Sequence, residues 1–113
     1  MRYQLNDQQG TVEALLLHGE QNAKPCKELV EALGLHSTRE LRARIERERA
    51  NGALILSTVR GHGGYFLPDL NEREGRAELR RFIRTVHARA VSSQRMLRTA
   101  RQALRTCPGQ EAL

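Results

Sequence analysis

Apolar residues in the first two-thirds of the chain come in short sets, each closed by turn residues. Val12, Leu15 and Leu16 sit at helical spacing behind Thr11, which predicts a first helix within residues 10–18. Residues 19–22 are turn chemistry, and Ala23-Lys24 is long enough only for a minimal strand against a later hairpin. Pro25 suits the first turn of a second helix, where its missing N–H costs nothing. Leu29, Val30 and Leu33 make the apolar face of that helix. Gly34 ends it, since the residue just past a helix end often needs positive φ, and Leu35 is placed to plug the core in the turn. Ser37 and Glu40 then form an S-x-x-E capping box and fix the start of a third helix, whose narrow stripe is Leu41 and Ile45. Asn51-Gly52 stops it. Residues 53–59 favour strand, residues 60–64 are a basic Gly-rich tip, and Tyr65-Phe66-Leu67 returns as the second strand of a hairpin.

Beyond Pro68-Asp69-Leu70 the pattern changes. Asn71 with Glu74 reads as another N-cap, with Gly75 a weak spot in the first turn. Nothing breaks the helix from there to about Thr106. Leu79, Ile83, Val86, Ala90, Ser93, Leu97, Ala100 and Leu104 recur in steps of four and three, a heptad seam that Phe82 widens near its start. A continuous helix of this length reaches about 50 Å, too long for so small a domain to cover. Its apolar stripe therefore calls for a partner, most simply the same helix of a second subunit in a homodimer. The other arrangement is a helix broken near Val91-Ser92-Ser93 that folds back on its own domain. The expected organisation is a polar lead-in over residues 1–9, a compact domain over 10–68, a long basic helix over 71–106 and a flexible tail over 107–113. The fold class is mainly α with a small β-hairpin, that is, α+β.

Charge sharpens this division. Residues 1–71 hold nine Lys+Arg against nine Asp+Glu, whereas residues 72–106 hold ten Arg against three Glu; Glu111 completes the net +6. The C-terminal segment thus carries the whole basic excess. At 113 residues the chain suffices for one small domain and an appendage. No apolar run approaches the roughly 20 residues of a membrane span, and the opening MRYQLNDQQG is no secretory signal, so a soluble cytoplasmic protein is expected. Cys26 and Cys107 are isolated thiols far apart, not a disulfide framework. His18, His36, His62 and His87 lack metal-ligand spacing, Gly61-x-Gly63-Gly64 lies in a hairpin tip instead of between strand and helix, and no nucleophile comes with a base. Neither catalysis nor a metal, cofactor or small-molecule ligand is expected.

Helix, turn, capped helix and hairpin is the order of a winged helix-turn-helix. Leu33-Gly34-Leu35-His36-Ser37, Ile55 with Ser57, and Gly64-Tyr65-Phe66-Leu67 carry a resemblance, over roughly residues 10–68, to the winged-helix domains of prophage-encoded and bacterial regulatory proteins. One departure is visible: Glu48 falls where such helices usually carry a third apolar residue after Leu41 and Ile45.

The resemblance implies double-stranded DNA as partner, with the third helix in the major groove. Ser37, Thr38, Arg39 and Arg42 then reach phosphates and base edges, and an Arg can grip guanine through two hydrogen bonds. Arg47 and Lys27 are candidates for backbone contacts; Arg60 and His62, among glycines at the tip, can approach the backbone or the minor groove. Glu46 and Glu48 on the same helix oppose phosphate binding, so a second domain in a dimer or the arginines from Arg73 to Arg84 would have to help. The expected function is sequence-specific duplex DNA binding, as a dimeric transcriptional regulator or a phage or mobile-element factor. The alternative is a protein-interaction or scaffolding module that uses the winged helix and the C-terminal helix without specific DNA binding.

Overall fold

The computed structural model describes residues 10–107. The lead-in expected over residues 1–9 and all of the expected tail except Cys107 lie outside the described residues. Contacts divide the chain between Arg80 and Arg81 into two units. The elements run α1 (Val12–Leu15), a single 3-10 turn (Glu20–Asn22), α2 (Cys26–Leu33), α3 (Thr38–Ala50), β1 (Leu56–Thr58), β2 (Gly64–Phe66) and α4 (Arg73–Thr106). The fold is therefore mainly helical, with one two-stranded hairpin and a long C-terminal helix.

The first unit is built on an aliphatic core of Val12, Leu16, Leu29, Leu33, Leu41, Ile45 and Ile55, which joins α1, α2 and α3. Local signals set the helix ends as the sequence suggests. Thr11 accepts the Ala14 N–H at 3.1 Å, and Gly34 takes the left-handed conformation (φ 67°) that closes α2. Pro25 sits one step earlier than expected: its ψ of 156° is extended, so it precedes the first turn. The Ser37 hydroxyl accepts the Glu40 N–H at 3.2 Å, and the Glu40 carboxylate reaches back to the His36 N–H at 2.9 Å, closing the capping box one residue upstream of its usual partner.

Glu48 explains itself in three dimensions. Its two carboxylate oxygens accept the N–H groups of Val12 at 2.8 Å and Glu13 at 3.0 Å. These are two of the orphan donors that any α-helix leaves at its start, and an anion there is favoured by both hydrogen bonding and the helix dipole. The third apolar position of α3 has become a clamp on α1.

The hairpin pairs Leu56 with Phe66, Ser57 with Tyr65 and Thr58 with Gly64. Lys24 supplies the minimal third strand: its N–H donates to the Tyr65 carbonyl at 2.9 Å, and the Tyr65 N–H returns to its carbonyl at 3.0 Å. The Leu67 N–H goes to the Leu17 carbonyl and the Gly19 N–H to the Leu67 carbonyl, both at 2.9 Å, so β2 and its extension are stitched to the segment before α2. Gly64 lies where these backbones converge. A Cβ there would stand 2.2 Å from the Lys24 carbonyl oxygen, at a φ of +125°, and only glycine fits.

Two expectations for the start of α4 are corrected. The turn before the helix is shaped by Asp69, not by Asn71: Asp69 accepts the Asn71 N–H on its side chain at 3.1 Å and the Glu72 N–H on its carbonyl at 3.0 Å, and the helix begins at Arg73. Gly75 is a contact, not a weak spot. It is buried, and a Cβ on it would sit 2.0 Å from the Asp69 carbonyl oxygen. One turn on, Glu78 is only 4% exposed and accepts the Glu20 N–H at 3.1 Å through one oxygen, the other having no hydrogen-bond partner among the described residues.

In the second unit α4 continues unbroken through Val91-Ser92-Ser93, so the fold-back arrangement is not formed. Leu79 and Phe82 are half-buried, but the rest of the seam is exposed, including Ala90, Ser93 and Ala100. Ile83, Val86, Leu97 and Leu104 are 55%, 43%, 43% and 46% accessible. No helix among the described residues is long and apolar enough to cross a membrane.

Candidate nucleic-acid interface

The surface of α3 follows from its register. At about 100° per residue, burying Leu41 and Ile45 turns Arg39, Ala43, Glu46, Arg47 and Ala50 to the opposite side, with Arg42 beside them. All six are exposed. The other two arginines of the helix are structural. Arg44 donates to the Gly10 carbonyl at 2.7 Å, and Arg49 places two guanidinium nitrogens on the Ile55 carbonyl at 2.9 and 2.7 Å, tying α3 to the strand that follows.

The acidic residues sort in the same way. Glu48 faces into the fold, so its expected opposition to phosphate is corrected: both oxygens are engaged by backbone N–H groups. Glu40 is held by the His36 N–H, and Glu46 lies 3.5 Å from the Arg49 guanidinium. Among the described residues no carboxylate lies within 4 Å of Arg39, Arg42 or Arg47. The neutral balance of residues 1–71 therefore does not extend to this face. Ser37 and Thr38 are exposed at its N-terminal end, where the Ser37 hydroxyl still has a proton to donate while it accepts from Glu40.

The remaining site residues are spread over other elements. Arg60 and His62 are exposed at the hairpin tip, which is closed by the Gly63 N–H on the Arg60 carbonyl at 2.8 Å. The Arg60 side chain lies 3.8 Å from Glu20, whose same oxygen accepts the Thr58 hydroxyl at 2.6 Å. Arg60 is nonetheless 78% exposed, and an ion pair so open to water holds it weakly. Lys27 is exposed on α2. No group of three or more His, Cys, Asp or Glu among the described residues could hold a metal ion.

The roles of two structural carboxylates, Glu48 and Glu78, were not read from the sequence. Glu48 had a signal, its departure from the apolar pattern of α3; Glu78 had none that separates it from exposed Glu72 and Glu74. No protein-family model matches the chain, and neither does any curated protein or solved structure.

Proposed function

We propose that residues 10–68 act as a winged-helix module that binds duplex DNA and reads its sequence through α3. One observation carries this: the outward face of α3 presents Arg39, Arg42 and Arg47 around small Ala43 and Ala50, while Glu40 and Glu48 are committed to backbone donors and only the exposed Glu46, 3.5 Å from Arg49, leaves a carboxylate on that face. A helix so shaped can lie close in a major groove, where Arg39 and Arg42 reach guanine edges and Ser37, Thr38 and Arg47 reach phosphates. Arg60 and His62 at the tip, with Lys27 on α2, add backbone contacts. Transcription control, or DNA handling by a phage or mobile element in the cytoplasm, is the role that suits such a module.

Selection from a random duplex pool, followed by anisotropy titration at several salt concentrations, tests the proposal. An enriched site whose affinity falls steeply with salt is expected. Arg39→Ala or Arg42→Ala should abolish the preference for that site. Failure of any sequence to enrich would overturn the proposal and favour an interaction module.

A further inference from the structure

Residues 81–106 of α4 form an amphipathic helix with no acidic side chain: seven arginines and no Asp or Glu. The seam residues Ile83, Val86, Leu97 and Leu104 are all exposed, separated by small Ala90, Ser93 and Ala100. An apolar stripe of this length in water needs a cover. Charge and volume together select its chemistry.

Charge comes first. The positions flanking the seam are His87, Gln94 and Arg101 on one side and Arg89, Met96 and Ala103 on the other. In a parallel pair of identical helices a residue preceding an Ile83-type seam position meets the flanking residue five positions on in its partner, so Arg89 meets Gln94 and Met96 meets Arg101. A second copy thus forms no ion pair across the seam, yet gathers fourteen arginines, seven from each helix, within about 40 Å. Volume points the same way. An in-register copy sets Ala90 against Ala90 and Ser93 against Ser93, leaving a gap where the interface should be tightest. Nucleic acid supplies negative charge but no aliphatic layer for the seam. A second copy supplies the layer but not the charge.

We propose that residues 81–106 dock an acidic amphipathic helix of a different protein, with large aliphatic side chains over Ala90 and Ser93 and carboxylates opposite Arg89 and Arg101. This is independent of what α3 reads.

The test uses the full chain and two synthetic helical peptides of about four heptads, both with Leu or Ile at every seam position, one with Glu and one with Lys at the flanking positions. By anisotropy, the Glu peptide is expected to bind at least about tenfold more tightly than the Lys peptide. The double variant R89E/R101E should invert that order. Ile83→Asp with Leu97→Asp should abolish binding of both peptides while leaving the melting of the compact unit unchanged. Equal binding of the two peptides would overturn the proposal. So would a stable dimer of the chain alone, seen by sedimentation, that the Asp pair dissociates and the Glu peptide does not displace. Binding of neither peptide, with random-duplex affinity falling in R89E/R101E, would overturn it in favour of nucleic acid.

Discussion

The carboxylate of Glu48, near the end of α3, accepts the backbone N–H of Val12, 36 residues earlier, at 2.8 Å. Val12 is fully buried and opens α1, so this bond fixes the first helix and the core residue it carries. Glu48→Ala is expected to destabilise the compact unit by roughly 1–3 kcal/mol, the cost of leaving such donors without their charged acceptor. Glu48→Leu would restore the apolar pattern of α3 and is expected to destabilise too, because the Val12 and Glu13 donors need an acceptor. Urea unfolding reads both; a Leu variant as stable as the parent would show that the clamp contributes nothing.

Gly75 should invert a familiar rule. Gly→Ala inside a helix usually stabilises by up to about 1 kcal/mol. Here the new methyl would meet the Asp69 carbonyl at 2.0 Å, and that neighbour is backbone that cannot swing aside. Gly75→Ala is expected to destabilise by about 1–3 kcal/mol, with a lower thermal midpoint.

Glu78 offers a subtler contrast. One oxygen accepts the Glu20 N–H and the other, buried, has no partner among the described residues. Glu78→Gln keeps the acceptor and removes a charge from a nearly water-free site, so it should leave stability unchanged or raise it. Glu78→Ala loses the acceptor and should cost about 1–3 kcal/mol. Calorimetry that found the Gln variant as damaged as the Ala variant would mean that the charge itself is what holds Glu20.

The arginines of α3 should separate into two groups in paired assays. Arg49→Ala removes two hydrogen bonds to the Ile55 carbonyl and should lower stability by about 1–3 kcal/mol without altering the order of preferred DNA sites. Arg39→Ala and Arg42→Ala should leave unfolding curves in place and erase site preference, and Arg47→Ala should weaken all duplexes alike while reducing the salt slope. Stability losses at Arg39 or Arg42 matching those at Arg49 would contradict the assignment.

What could be read in advance was local. Thr11, Gly34 and Ser37 act on donors and acceptors within four residues of themselves, so their roles are written in short spacings. The pairing of Lys24 with Tyr65 was visible only as a possibility, because it depends on where a hairpin forty residues later comes to rest. Glu78 and Gly75 were opaque, and Glu48 showed only as a break in the apolar pattern, for a related reason. Glu48 and Glu78 act on Val12 and Glu20, 36 and 58 residues away, and Gly75 is needed because the backbone at Asp69 turns back against it. On α3 the sorting of arginines followed from the positions of Leu41 and Ile45, but the commitment of Glu40 and Glu48 to backbone donors did not. Composition counts charges; only the fold says which are already spent.

The hairpin has one more consequence. Strand β2 has backbone partners on both sides, β1 along one edge and Lys24 on the other, while β1 itself is three residues long. The described residues therefore expose no long row of unpaired amides that a neighbouring chain could extend. Growth by adding strands, the commonest route from a small sheet to a fibril, has almost no template to start from. Among the described residues, the surface that remains for a neighbouring chain is the side chains of the helices.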